Sequence, residues 1–195
     1  MIIGLTGAYC AGKNHVASIL EKRGFPVLDA DKLGHEVLEN EKEAVFARFG
    51  YDLKKPDNSL NRRLLGQRVF GKPEELAALE AIIHPKVNNL VKEWLASQSG
   101  HCVINAALLH KSAIFEKLEK IILVTAPFLT RLLRALKRDR LSLQEALKRF
   151  ASQKNIYARY LSINANPFYA ETYRVENPGF RKLERSIEKI IERMS

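Results

Sequence analysis

The chain has 195 residues and a formal net charge of +10, with 46% hydrophobic and 28% charged residues. That length suffices for one domain, with or without a sizeable insertion, and the composition excludes disordered and fibrous classes. No apolar run approaches the roughly 20 residues that cross a bilayer, and two cysteines are too few for a disulfide scaffold, so a cytoplasmic protein with no membrane partner is expected.

Ile2, Ile3 and Leu5 make a short apolar run, followed by the glycine-bearing stretch GAYCAGKN, residues 7 to 14, and by Val16, Ile19 and Leu20 at helical spacing. The pattern predicts strand, loop, helix. Gly24 closes the helix, and a second strand-like run from Phe25 to Leu28 ends in Asp29-Ala-Asp31. A charged helix is expected over Lys32 to Phe49, a polar loop over Tyr51 to Ser59, and helices over Leu60 to Phe70 and Glu74 to Leu95. The last of these should be interrupted before Pro85, because the residue preceding proline is pushed out of helical geometry.

His101 to Ala106 and Lys120 to Thr125 are short, Val- and Ile-bearing runs that predict buried parallel strands. Helices rich in Arg, Lys and Leu follow over Phe128 to Lys137 and Leu143 to Lys154. Asn166-Pro167 predicts a break, Thr172 to Val175 a last strand, and Arg181 to Met194 a closing amphipathic helix. Strands alternating with helices imply an α/β fold with a parallel sheet, whose ligands bind beyond the C-terminal strand ends. The glycine loop and the Asp29/Asp31 pair both fall at such ends.

Gly7, Gly12 and Lys13 satisfy GxxxxGK between a strand and a helix. Phosphate cradling needs that placement: glycines let backbone N–H groups converge, the helix N-terminus favours anions, and the lysine reaches the β- and γ-phosphates. Asn14 stands where a hydroxyl that ligates Mg²⁺ is usual; its carbonyl is also an oxygen ligand, so weaker metal affinity is expected rather than loss of nucleotide binding. His15 caps or packs. Asp29 and Asp31 share a face if the strand stays extended, and one could take a proton from a substrate hydroxyl; the competing reading is that one merely caps the following helix. Arg131, Arg134 and Arg138 lie along one helix face, either as a solvated basic face or as cations over a transferring phosphoryl group.

Taken together, these stretches resemble the dephospho-CoA kinase family of P-loop kinases. GLTGAYCAGKNHVA is similar to the family's GLTGGIGSGKSTVA, and VLDADKLGHEV to its VIDAD-x-x-A-H-E-V. SLNRRLLGQRVFGKPEELAALEAIIHPKV resembles the long L-D-R-x-x-L-G-x-x-V-F-x-x-P…L-E-x-I-x-H-P block, VINAALLHK resembles V-L-D-x-P-L-L-F-E, and RLLRALKRDRLSLQEALKRFASQ resembles the arginine-rich lid with its R-x-x-x-Q helix. The likeness runs from Met1 to about Gln153, with an echo in Thr172 to Gly179.

The resemblance implies a three-layer P-loop kinase fold: a parallel five-stranded core at 1–30, 100–126 and 170–195, a helical acceptor-binding region at 31–99, and a lid with following helices at 127–165. It implies transfer of the γ-phosphate of ATP, with Mg²⁺, to the 3′-hydroxyl of dephospho-CoA, in a monomer or small homo-oligomer. Gly7, Ala8, Tyr9, Cys10, Ala11, Gly12, Lys13, Asn14 and His15 would hold ATP together with Arg134 and Arg138. Asn14 would face the metal; Asp31 would be the general base, with Lys13 and Arg138 also catalytic; Asp29, Asp31, Arg62, His84, Pro85 and Asn105 would face the acceptor.

Four positions depart from the family pattern: Asn14 for a hydroxyl, Asn61 for aspartate, Asn105 for an acidic residue, and His110 for an aromatic one. They thin the negative charge around the metal. Two alternative readings follow, a nucleotide-binding homologue with weakened catalysis and a basic nucleic-acid-binding protein; specific nucleic-acid recognition is not expected, because an aromatic stacking pattern is missing.

Overall fold

The computed structural model describes residues 1–139, 142–153, 156, 160, 170–177 and 180–194. Arg140, Gly179, the Asn166-Pro167 break and most of the stretch 156–170 lie outside the described residues. The chain divides into two compact units, Met1–Asp29 with Gln98–Ser195, and Ala30–Ser97.

Among the described residues of the first unit, five strands form one parallel sheet: β1 (Ile2–Gly7), β2 (Val27–Asp29), β3 (Cys102–Asn105), β4 (Lys120–Thr125) and β5 (Glu171–Glu176). Their order is β2-β3-β1-β4-β5. Continuous apolar runs are what a sheet buried on both faces requires, and β1, β3 and β4 are buried nearly throughout. On one face Ile3, Leu5, Val103, Ile122, Val124 and Val175 share a core with Val16, Ile19 and Leu20 of α1 (Lys13–Lys22) and with Leu183, Ile187 and Ile190 of the last helix, α8 (Phe180–Met194). On the other face Gly4 leaves room for Leu109 and Leu118, which a β-carbon there would strike. Helices α6 (Phe128–Asp139) and α7 (Leu143–Ser152) follow β4; a capping box at Ser142, reciprocated by Glu145, starts α7.

The second unit is helical: α2 (Ala30–Asn40), α3 (Lys42–Phe49), α4 (Arg62–Val69) and α5 (Pro73–Ala96). Val45, Phe46, Phe49, Leu53, Leu60, Leu65 and Val69 form its core, with Leu76, Leu79 and Ile82 packed against it. Arg68 ties the α3–α4 connection by bonding both carboxylate oxygens of Asp52, at 3.1 and 2.6 Å, and the Phe49 carbonyl. The guanidinium holds the Asp52 carboxyl below its usual range.

Three local expectations are corrected. The helix expected from Lys32 to Phe49 is two helices, and the first begins at Ala30, directly after β2. Asp29 and Asp31 therefore do not sit two apart on one extended strand: Asp29 ends β2 and Asp31 is in the first turn of α2. α5 also runs through Pro85 without interruption. Proline removes the partner of the Ala81 carbonyl, but Ala81 and Pro85 are both exposed, so water can bond that carbonyl. Leu76, Leu79 and Ile82 before the proline pack against the unit's core, and Val91 after it is buried.

Candidate active site

The loop between β1 and α1 is held from behind. Gly12 has φ +98° at the N-cap of α1, a conformation glycine adopts without strain, and a β-carbon there would fall on the amide of Asn177. At the other end of the loop, Gly7 passes so close to the Val124 carbonyl that a β-carbon would approach it to 2.5 Å. Cys10 occupies the left-handed region at φ +60°, where the resembling family motif has glycine. Its thiol is buried, which raises its pKa against the opposing pull of Arg138, Arg134, Arg131 and Arg149.

Asn177, the residue after β5, is 4% exposed and donates from Nδ2 to the Ala11 carbonyl at 2.8 Å. Its own N–H bonds the Thr125 carbonyl at 2.7 Å, so the end of β4 anchors it. Arg134 of α6 donates from Nη1 to the carbonyls of Cys10 (3.3 Å) and Ala11 (3.2 Å), and from Nη2 to Asn177 Oδ1 (3.5 Å). Gln153, just past α7, accepts from the Tyr9 N–H at 2.7 Å. With the loop's carbonyls turned back toward Arg134 and Asn177, the first-turn N–H groups of α1 form the positive end of a helix dipole beside the loop.

Tyr9 carries a second set of contacts. Its hydroxyl bonds Asp139 and accepts from Arg149 Nη1 at 3.2 Å, its ring tilts against Phe150 at 5.8 Å, and Arg138 and Arg149 lie over it at 5.7 and 5.4 Å. Arg138 also grips both carboxylate oxygens of Asp139, at 2.7 and 2.9 Å. A cavity of about 450 Å³ opens beside the loop, walled by Cys10, Gly12, His15, Arg134, Lys137, Arg138 and Asn177. That volume suits a small-molecule ligand, and four basic side chains on its wall suit an anionic one.

On the other side of Lys13, the strand ends bring three polar side chains together. Asn105, 1% exposed at the end of β3, pairs in register with Leu5 and with Asp29. Its Nδ2 donates to Asn14 Oδ1 and to Asp29 Oδ2, each at 3.3 Å.

The first unit thus brings together Gly7 to His15, Asp29, Asn105, Arg134 and Arg138. Asp31, Arg62, His84 and Pro85 belong to the second unit. There Arg62, with Nη2 3.7 Å from Glu39 Oε2, borders a cavity of about 450 Å³ with Lys55, Arg63 and Ser59. His84 and Pro85 border another of about 520 Å³ on α5. Asn61 caps α4 by accepting from the Leu64 N–H at 3.2 Å, a task asparagine and aspartate perform equally well, so this departure is neutral for the helix. His110 meets the buried Tyr160, its N–H donating to the phenol oxygen at 2.9 Å.

Asn177 and Gln153 were not singled out by sequence reasoning. Asn177 precedes Pro-Gly in the sequence, and only the sheet order reveals that Asn177 abuts the glycine loop. Gln153 stands in the R-x-x-x-Q pattern, which signals its presence but not its partner.

The family profile described as Dephospho-CoA kinase matches residues 1–165. The chain belongs to the dephospho-CoA kinase family. A dephospho-CoA kinase of Treponema pallidum is 33% identical over 204 aligned positions, covering 98% of this chain and 94% of the relative. A crystal structure from Thermus thermophilus superposes with a TM-score of 0.84 at 32% identity, covering 100% of this chain and 98% of that one. The dephospho-CoA kinase of Campylobacter jejuni gives 0.62 at 26% identity over 100% and 97%. As in P-loop kinases generally, the fold is an α/β parallel sheet with its phosphate loop after the first strand.

For this dephospho-CoA kinase family member, Asn177→Ala is expected to destabilise the fold by about 0.5–1.5 kcal/mol, the net worth of the bond lost, since the Ala11 carbonyl keeps Arg134 as a donor. KM for the nucleotide should rise more than kcat falls, because the loop loses shape before chemistry begins. Urea unfolding and steady-state kinetics check the two halves; unchanged KM would remove Asn177 from the site.

Proposed function

We propose that the chain transfers the γ-phosphoryl group of ATP to the 3′-hydroxyl of the ribose of dephospho-CoA. The observation that carries this reading is the phosphate loop itself, with its carbonyls tied back by Arg134 and Asn177 beside a cavity walled by basic side chains. Family membership supplies the acceptor.

In this reading the loop and the first turn of α1 hold the β- and γ-phosphates, and Lys13 neutralises the charge that builds between them as the bond to the leaving ADP lengthens. Asp31 accepts the proton of the 3′-hydroxyl while that oxygen forms its bond to phosphorus, and ADP leaves with the electrons of the broken P–O bond. Arg138, now paired with Asp139, turns to the transferring group when α6 closes as a lid. Arg62, Lys55 and Arg63 offer cations to the acceptor's anionic groups, and His84 and Pro85 border the second cavity of that unit.

Asn14 Oδ1 and Asp29 Oδ2 converge on one amide nitrogen, and this all-oxygen pair with one carboxylate fits Mg²⁺, which takes its other ligands from phosphates and water. When bound there, the ion would offset the negative charge of the β- and γ-phosphates. The chain's own contribution is to hold Asn14 on the first turn of α1 and Asp29 at the end of β2.

Incubation with ATP, MgCl₂ and dephospho-CoA should yield an acceptor heavier by one phosphate in mass spectrometry. No product at any magnesium concentration would refute the assignment.

A further inference from the structure

Asn105 presents an asymmetry that neither its packing nor the proposed reaction uses. Both of its observed bonds are made by the amide nitrogen, to Asn14 Oδ1 and Asp29 Oδ2. Its Oδ1 is buried and has no hydrogen-bond partner, a condition native interiors avoid. A half-turn about the last side-chain bond would exchange nitrogen and oxygen with almost no change in shape. In that orientation three oxygens, those of Asn14, Asp29 and Asn105, would face one another. Such an arrangement is repulsive on its own and favourable around a hard cation.

We propose that Asn105 is a cation-responsive positioning residue. Its NH₂ group cross-links Asn14 to Asp29 while the cation is absent, and its carbonyl turns inward when Mg²⁺ arrives. The amide thus stands in for the ion, keeping the strand ends and the first turn of α1 in register before the metal binds. An acidic residue at this position cannot do so, because it would set a second carboxylate against Asp29. The wild-type fold should therefore be almost indifferent to Mg²⁺, while the Asn105→Asp fold should depend on it. The inference takes the identity of the cation from the kinase reading but concerns the resting protein.

The test is the melting temperature of wild type, Asn105→Asp and Asn105→Ala, with and without 10 mM MgCl₂, each with and without a non-hydrolysable ATP analogue. Without nucleotide, Asn105→Asp should melt about 5 °C below wild type and regain most of that loss in MgCl₂. Wild type and Asn105→Ala should shift by no more than about 1 °C. If Asn105→Asp falls but responds to MgCl₂ no more than Asn105→Ala does, the role is merely structural and the proposal is overturned. It is equally overturned if wild type gains as much from MgCl₂ as the aspartate variant.

Should Asn105→Asp not fold, wild type labelled with ¹⁵N-asparagine decides. A buried side-chain NH₂ pair, slow to exchange with solvent, should move on adding MgCl₂ with the analogue, and no movement in any buried pair would sink the idea. The analogue alone, without magnesium, should raise the wild-type melting temperature by mass action. If it does not, the nucleotide reading fails while the magnesium contrast between variants still judges Asn105.

Discussion

Lys13→Met lowers kcat/KM for ATP by about 10²–10³, the usual consequence of removing one charge-stabilising donor from a transition state. Lys13 is the first residue of α1, following a loop whose shape is fixed by Arg134, Asn177 and Gln153, so the cradle survives its replacement. Methionine keeps the helix propensity and most of the aliphatic stem, and stability should change by no more than about 0.5 kcal/mol. A coupled assay of ADP release, with a thermal melt beside it, separates the two effects. Activity within threefold of wild type would mean that the lysine is a surface cation after a glycine turn.

Asp31→Asn should reduce kcat by about 10²–10⁴, the range expected for loss of a general base, with KM for ATP little changed. The competing reading, that this carboxylate serves only the helix, makes a different forecast. Asp31 lies inside the first turn of α2, where its charge favours the helix by about 0.3–1 kcal/mol, and asparagine would forfeit only that. A variant that melts slightly lower and turns over normally would assign Asp31 to the helix. One that melts slightly lower and hardly turns over assigns it to the hydroxyl proton. Single-turnover measurement of phosphate transfer tells slow chemistry from slow product release.

The elements that sequence reading located best are those whose cause is local. β1, the loop and α1 are announced by a change of apolar period and by two glycines, and the structure uses both: Gly12 for its positive φ and Gly7 for the close approach of Val124. Strands β3 and β4 are evident as short apolar runs because both of their faces are buried. Local rules failed where packing outweighed them. Pro85 should end a helix, yet α5 is continuous, with its first half packed on the unit's core and Val91 buried in its second. The break at Glu41 was invisible because the charged pattern simply continues on either side of it. In the site, the loop residues were legible from their spacing. Asn177 was not, since its significance arises only when β5 is placed beside β4 and its N–H meets Thr125. Asn105 could be recognised as a departure, but that its nitrogen rather than its oxygen faces Asn14 and Asp29 is a matter of three dimensions.

The sheet order also dictates a timetable for synthesis. β1 leaves the ribosome well before the strands it pairs with, Cys102–Asn105 and Lys120–Val124, which lie about 100 or more residues further along. At about 5–20 residues per second it waits several seconds or longer for its first hydrogen-bonded neighbour. During that interval the Ala30–Ser97 unit, whose core is drawn from its own helices, can condense ahead of the sheet, of which only β1 and β2 precede it in the chain. The glycine loop, complete by residue 13, acquires its anchors only with Arg134, Gln153 and finally Asn177. ATP can therefore offer the nascent chain no folding template until Asn177 has emerged, and until β3 follows it the apolar β1 has no strand to pair with.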